Sequence, residues 1–223
     1  PADAGTDVFA MDAGNGSSTI PSLDSGFPVD FAFVKRLAST GDWDTSARLI
    51  HGKFVDTNTS GAQQTSTGYT FDSNLGWGSA DWLDSGIQSW MWKRHAGFDV
   101  VTYKSGSPNI TQFSHNLNKV PEMMWVKRRD GTGSWQIYHK GYNGGTNPWY
   151  YFLELNQNYA QDTGSRWNNT APTSTHFSLG AVDTVNGAAS NNYDYVAMLF
   201  ASVDGISKVG YYDGTGSDQT ISL

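Results

Sequence analysis

Apolar and polar residues alternate along much of this chain with a period of two, as in residues 134–138, which read SWQIY. Period two places alternate side chains on opposite faces of a β-strand. No stretch of useful length shows the 3.6-residue period of a helix, and clusters rich in Gly, Asn, Ser and Thr separate the alternating segments. The pattern predicts an all-β protein of short antiparallel strands, arranged as a sandwich or barrel.

Individual strands can be placed from the same pattern. Residues 149–155 (WYYFLEL) carry the strongest strand signal, and residues 31–34 and 123–126 are predicted as central strands. Residues 88–93 and 193–201 are apolar on both faces, which is typical of strands that are buried on both sides.

The chain contains an internal repeat. Residues 28–43 (PVDFAFVKRLASTGDW) align without a gap with residues 120–135 (VPEMMWVKRRDGTGSW), at an offset of 92. A later block, residues 90–98, aligns with residues 198–206 at an offset of 108. The second copy is therefore longer by 16 residues, and we expect the excess between Trp135 and Thr175.

The repeat predicts two tandem β-sandwich units, at residues 1–97 and 98–205. Residues 208–213 resemble residues 99–104, so residues 206–223 are expected to be the opening strands of a third unit or a strand that pairs back on the second. The chain would then be a piece of a longer array. The alternative is a single sandwich with pseudo-two-fold symmetry, in which each half supplies one sheet.

The amino-acid composition limits the classes of binding partner that the sequence predicts. The formal net charge is −7, and the Lys and Arg residues occur only in short clusters, which argues against a nucleic-acid partner. The absence of cysteine excludes a disulfide scaffold and thiolate zinc sites. No apolar run reaches transmembrane length, so membrane insertion is not predicted, and the first 16 residues do not read as a signal peptide.

Several segments together resemble a known family: DFAFVKR, WMWKRHAGFDVVTYKSG, PEMMWVKRRDGTGSWQIYHKG, WNNTAPTSTHFSLG and NYDYVAMLFASVDGISKVGYYDGTGS. They are similar to a tandem-repeat family of unknown function in large virion proteins of marine bacteriophages, cyanophages especially, usually grouped with concanavalin A-like sandwiches. The resemblance implies an antiparallel jelly-roll fold, a virion location and a structural or adhesive role. It supplies no catalytic residue.

The function predicted from the resemblance is a tail-fibre, tail-associated or capsid-decorating module that binds other virion subunits and, through an adhesive surface, host cell-surface polysaccharide. Homo-oligomers are compatible with it. A purely structural spacer and a glycoside hydrolase are the alternatives.

Catalytic and metal chemistry is weakly represented. Glu122 and Glu154 are the only Glu residues, and they are not spaced as in concanavalin-like hydrolases. The five His residues are scattered singly. Asp-rich loops at residues 81–84 and 213–218 offer oxygen ligands for Ca²⁺, although Asp is common in turns for its own reasons. We therefore predict a non-enzyme with no cofactor, Ca²⁺ being the one alternative.

The predicted binding site lies where the two copies differ. The 16-residue excess brings flat aromatic rings together with amides and carboxylates, the combination that saccharide recognition or a polar protein contact requires. The candidates are Tyr142, Asn143, Trp149, Tyr159, Asp162, Arg166, Trp167 and Asn168. The alternative is that WYYFLEL is an ordinary strand, present in the first copy as residues 51–57, HGKFVDT.

The nine Trp residues divide into two predicted groups. Those in register with the repeat or in apolar strands are expected in the core: Trp43, Trp90, Trp92, Trp125 and Trp135. Those beside Gly, Asp, Pro or Asn are expected in exposed loops: Trp77, Trp82, Trp149 and Trp167. The proposed site requires that Trp149 or Trp167 be substantially exposed.

Overall fold

Each half of the chain forms its own antiparallel sheet in the computed structural model, which describes residues 4–16, 19–79 and 86–221. The strands of the first half are β1 Phe9–Ala13, β2 Leu23–Asp24, β3 Phe31–Arg36, β4 Asp44–Ala47, β5 Lys53–Asp56, β6 Gln64–Thr65, β7 Gly76–Trp77 and β8 Ile87–Trp92. Those of the second half are β9 Phe98–Lys104, β10 Gln112–Ser114, β11 Met123–Arg128, β12 Gln136–His139, β13 Tyr151–Glu154, β14 Asp162–Thr163, β15 His176–Ser178 and β16 Asp194–Phe200. Trp82 and the Asp-rich loop at 81–84 lie outside the described residues.

Short 3-10 helices make up the remaining regular structure of the described residues. They are Gly5–Asp7, Arg48–Ile50, Tyr142–Gly145, Pro148–Tyr150, Ser165–Trp167 and Ala189–Asn191. No helix in these ranges is long and apolar enough to cross a membrane. The all-β prediction is confirmed.

The two halves have the same strand order. The first six-stranded sheet runs β1-β8-β3-β4-β5-β6 and the second runs β9-β16-β11-β12-β13-β14. A small two-stranded sheet accompanies each, β2-β7 in the first half and β10-β15 in the second. Every paired ladder is antiparallel and stays within one half.

Strand register is shared as well. Phe33 lies opposite Trp90 in the first sheet, and Trp125, 92 residues later, lies opposite Met198 in the second. Asp44 faces Asp56 across β4 and β5, as Gln136 faces Glu154 across β12 and β13. A slip of one residue would turn every side chain to the other face, so the same faces are buried in both halves.

Three apolar clusters are present among the described residues. One lies on the outer face of the first sheet, around Trp77, and one on the outer face of the second, around Trp167. The third lies between the sheets and joins Phe31 and Val55 of the first half to Trp135 and other residues of the second. The protein is therefore a β-sandwich of two facing sheets, each with a further core of its own on its outer side.

The predicted strands are present, with one correction. Only Tyr151–Glu154 of the WYYFLEL segment is a strand, because Pro148 opens a 3-10 turn that runs to Tyr150. This strand occupies in the second sheet the position of Lys53–Asp56 in the first, so the alternative of an ordinary strand is right.

The 16-residue excess of the second half is split along the chain. The register offset between the halves rises from 92 at β12 to 98 at β13 and β14, and reaches 108 at β16. Six extra residues therefore lie between β12 and β13, and ten lie after β14. The expectation that all 16 precede Thr175 is wrong, because part of the excess extends the connection from β15 to β16.

The chain after β16 crosses back over the second half without joining a sheet. Val203 and Ser207 form an isolated bridge, and residues 208–221 contain no strand. Tyr211 nevertheless packs against His139, and Val209 N–H donates to the Ser202 hydroxyl at 3.0 Å.

Candidate functional site

The predicted site residues lie along the edge of the second sheet, and two of them are core residues. The expectation that Trp167 is exposed is wrong: its ring is fully buried, and its Nε1–H donates to the Tyr151 carbonyl at 2.7 Å. Tyr142 is also buried, with its hydroxyl 3.3 Å from the Ile137 carbonyl. Trp149 is half-buried against the outer core of the second half. The rings of Trp167 and Trp149 therefore serve packing of this core.

The remaining predicted residues form a polar, exposed edge. Asn143 donates from its backbone N–H to Gln161 Oε1 at 3.2 Å, which brings it beside Asp162 on the edge strand β14. Arg166 lies over the Phe152 ring at 3.8 Å and donates to Gln136. Asn168 is exposed in the left-handed conformation, and Tyr159 is 70% exposed.

A second region, which the sequence did not indicate, lies at the turns that link β3 to β4 and β11 to β12. We call residues 127–135 the closed turn. Its Lys127 is fully buried, and its ammonium group donates to the carbonyls of Arg128, Gly133 and Ser60, the last from the first half. Trp135 is also fully buried, and its Nε1–H donates to the Asp56 carbonyl at 2.8 Å.

The closed turn is covered by residues 56–63 of the first half, which we call the covering segment. Gly133 N–H donates to the Ser60 carbonyl at 2.9 Å, and Gln63 N–H donates to the Arg129 carbonyl at 2.7 Å. The Arg129 guanidinium returns a bond to Gln63 Oε1 at 2.7 Å. Burial, with the nearby charge of Arg128, lowers the pKa of Lys127 to about 8.

The corresponding turn of the first half, residues 35–43, is built alike but uncovered, and we call it the open turn. Lys35 donates to the Gly41 carbonyl as Lys127 does to that of Gly133. Trp43 N–H donates to Asn58 Oδ1 at 2.9 Å, as Trp135 N–H does to Asn156 Oδ1 at the same distance. Trp43 is nonetheless 40% exposed, which corrects the expectation that it is a core residue.

Beside the open turn, a groove of about 340 Å³ lies between the two sheets. Its walls are Phe33, Trp43, Thr57, Asn58, Trp125 and Leu155, so both halves line it. Trp43 stacks on Trp90 with ring centroids 5.4 Å apart, and Phe33 packs on Trp125 at 5.6 Å. Leu155, across the groove, is 40% exposed. An exposed aromatic groove at an interface between halves is the usual setting of a binding site.

Differences in sequence at matched positions could have pointed to this groove. Val196 and Met198 of β16 are buried between the sheets, and their counterparts on β8 are Gln88 and Trp90, both half-buried. A polar residue in an otherwise apolar strand face marks where the face meets solvent. Recurrence of a Trp at the same position of the repeat does not imply equal burial, since Trp43 is 40% exposed and Trp135 is fully buried.

A carboxyl pair lies behind the open turn. Asp44 and Asp56 face each other across β4 and β5, the Tyr69 hydroxyl donates to Asp44, and Gln64 Nε2 donates to Asp56 Oδ2 at 3.3 Å. Burial, with the nearby charge of Asp44, raises the pKa of Asp56 to about 6, and burial also raises the pKa of Asp44. One proton shared by the pair relieves the repulsion of two buried carboxylates. The second half has Gln136 and Glu154 here, joined by an ordinary amide-to-carboxylate bond of 3.0 Å.

Other acidic and imidazole groups are engaged in structural bonds. Glu122 accepts from Lys140 Nζ at 2.8 Å and from Ser202, and these bonds lower the pKa of Glu122 even though burial opposes the change. Burial lowers the pKa of His95, His115 and His139. Within residues 4–16, 19–79 and 86–221, no three His, Asp or Glu side chains are placed to hold a metal ion.

A cavity of about 690 Å³ opens at the junction of the halves. Lys93, Arg94 and His95 line it together with Phe27 and Ile206. Arg94 is already engaged with Asp30, by a backbone bond of 2.8 Å and a side-chain approach of 3.7 Å. The cavity therefore has a cationic wall, in which Arg94 is bound to Asp30.

The chain matches a known protein family. The model of a family described as a domain of unknown function (DUF7483) matches residues 52–221. No curated protein and no solved structure matches the chain significantly.

Proposed function

The chain belongs to the DUF7483 family, and we propose that it is a structural and adhesive module of a bacteriophage particle, as a tail-fibre, tail-associated or capsid-decorating protein. In this role it binds other virion subunits through the groove beside the open turn. It carries out no catalysis and needs no cofactor. The observation that carries the proposal is the uncovered aromatic groove, because one half exposes the surface that the other half buries.

The repeat supports a modular role. The halves share strand order and register, which supports two tandem copies of one unit, and we assign the unit to the concanavalin A-like jelly-roll class on the resemblance. Repeat units that assemble in series require the same interface between each pair of neighbouring units. The closed turn, covered by the preceding half, is such an interface within this chain.

Host polysaccharide is the second proposed partner, and the polar edge of the second sheet is the surface for it. Asn143, Tyr159, Asp162 and Asn168 are all exposed there, and Tyr150 adds a ring that is 42% exposed. Amides and carboxylates beside exposed phenol rings suit the hydroxyls and the apolar faces of sugars. Buried Trp167 and Tyr142 position this edge and do not touch the ligand.

The experiment is a binding assay with the whole chain immobilised, probed with the other proteins of the particle, with host cells and with a glycan array. We expect Trp43→Ala to reduce binding to particle proteins at least about tenfold, since a central aromatic anchor typically carries more than 1.4 kcal/mol. Leu75→Ala is the matched control, because Leu75 is also exposed but lies away from the groove.

Three results would contradict the proposal. Hydrolysis of a polysaccharide by the chain would favour the glycoside hydrolase. Failure to bind any probe would favour the purely structural spacer. Equal binding by Trp43→Ala and the control would show that the groove does not take part in binding.

A further inference from the structure

Two hydrogen bonds that the closed turn makes to the covering segment have no counterpart in the open turn among the described residues. Trp135 Nε1–H and Lys127 Nζ donate to the carbonyls of Asp56 and Ser60, which lie four residues apart on the covering segment. In the first half, Trp43 Nε1–H has no acceptor among the described residues, and Lys35 Nζ is bonded there to the Gly41 carbonyl alone.

The apolar surface around these donors is also uncovered. Leu37 takes the place of Arg129 in the open turn and is 64% exposed. Trp43 is 40% exposed and lines the groove together with Leu155. In the closed turn the same positions are covered by residues 56–63.

Building on the proposed binding role of the groove, we propose that the open turn binds a segment of a neighbouring polypeptide, which covers it as residues 56–63 cover the closed turn. The interface inside the chain serves as the template, since both turns have the same Lys-to-Gly and Trp-to-Asn bonds. The segment presents two main-chain carbonyls four residues apart, one to the indole N–H of Trp43 and one to the ammonium of Lys35.

The differences between the turns specify the segment further. Gln63 of the covering segment bonds Arg129, whereas the open turn offers Leu37, so the residue corresponding to Gln63 should be apolar. Gly41 N–H is already held by the Ser39 hydroxyl at 3.0 Å, where the closed turn has Gly131. The incoming segment therefore needs to satisfy two donors, not three.

A polypeptide fits this surface better than a saccharide does. The donors are a single indole N–H and one ammonium group, spaced in the closed turn to meet carbonyls of the last residue of β5 and of the loop that links β5 to β6. The groove walls are otherwise mostly apolar and lack the dense amides and carboxylates that sugar hydroxyls require.

The test uses the whole chain and two synthetic peptides, one with the sequence of residues 56–63 and one carrying Gln63→Leu. We expect saturable binding of both, followed by Trp fluorescence and calorimetry, with the Gln63→Leu peptide binding more tightly. The covering segment itself stays in place because it is tethered, which gives it a high effective concentration.

Three variants locate the binding. Lys35→Met keeps the aliphatic stem and Trp43→Phe keeps an aromatic ring, and each should weaken peptide binding about tenfold or more by removing one donor. Lys119→Met, at an exposed lysine remote from the groove, should leave it unchanged. Thermal unfolding of each variant confirms that it is folded.

The inference is overturned if neither peptide binds, if all variants bind equally, or if an oligosaccharide occupies the groove instead. If neither peptide binds but Trp43→Ala still reduces binding to the particle proteins, the proposed segment is wrong and the proposed function stands. Should Trp43→Ala bind particle proteins as the unmodified chain does, the proposed function itself fails.

Discussion

The open turn at residues 35–43 and the closed turn at residues 127–135 share sequence, strand register and internal hydrogen bonds, yet differ in burial. Trp135 is fully buried and Trp43 is 40% exposed. The difference arises because residues 56–63 cover one turn and no described segment covers the other. A conserved local structure therefore does not fix what a residue does, since a neighbouring unit decides whether it serves the core or the surface.

The largest expected effect is the difference in stability between variants of Trp135 and of Trp43. Trp135→Ala should lower the free energy of unfolding by about 3–5 kcal/mol, because it removes a buried ring and leaves the Asp56 carbonyl unpaired. Trp43→Ala should cost roughly 1 kcal/mol, since its ring is already partly exposed. Urea denaturation of both variants measures the difference. Equal losses would contradict the contrast between the turns.

The next comparison concerns the two lysines and pH. The pKa of Lys127 is lowered to about 8 by burial, so the unfolded chain binds its proton more tightly than the folded chain does. Stability should therefore rise from about pH 8 to about pH 10.5, on the order of 3 kcal/mol in all. Lys127→Met should flatten this rise in urea titrations across the range, whereas Lys35→Met should preserve it. The same slope in both variants would show that Lys127 is not buried as described.

The carboxyl pair gives the third comparison. The pKa of Asp56 is raised to about 6, so the folded chain holds its proton more tightly, and stability should fall as pH rises from about 4 to about 6. Asp56→Asn imitates the amide-to-carboxylate bond of Gln136 and Glu154, and should be more stable than the original chain at pH 7.5 by about 1–2 kcal/mol. Thermal unfolding from pH 4 to pH 8 tests this. A variant that is less stable throughout would rule out the shared proton.

The smallest effects are expected at the polar edge of the second sheet. Tyr159→Ala and Asp162→Ala should change stability by no more than about 0.5 kcal/mol, because both side chains are exposed. Trp167→Ala should instead unfold the second half or weaken it severely. If glycan binding occurs, the two surface variants should reduce it on the array without a change in unfolding midpoint. If Tyr159→Ala or Asp162→Ala lowered the stability, the substituted residue would belong to the core and not to a binding surface.

The strand pattern was predictable from the sequence because period two and turn composition are local properties. Residues 31–34 and 123–126 fall on strands of the two sheets, whereas residues 88–93 exceed β8 by one residue at one end and residues 193–201 exceed β16 by one residue at each end. The strand register that the two sheets share also agrees with the offset of 92 between the two copies of the sequence repeat. These features depend on neighbours close in sequence or on a repeated pattern.

Burial of individual rings was not predictable, because it depends on contacts between distant segments. Trp77 and Trp167 lie beside Gly and Asn and were expected in exposed loops, but both are fully buried, each donating from its indole nitrogen to a partner inside its own half. Trp43 was expected in the core on its recurrence with Trp135. Trp135 is buried by the covering segment and Trp43 is not. This segment comes from another part of the chain, and no local sequence pattern predicts its position.

Hydrogen exchange of the indole N–H groups, followed by NMR on the ¹⁵N-labelled chain, tests the contrast between the turns most directly. Trp43→Phe and Trp135→Phe assign the two signals. We expect the Trp135 signal to be protected by at least about a thousandfold, since its N–H is bonded to the Asp56 carbonyl inside the core, and the Trp43 signal to exchange almost as fast as free indole. Comparable protection of the two signals would contradict the account, because the open turn would then be covered already.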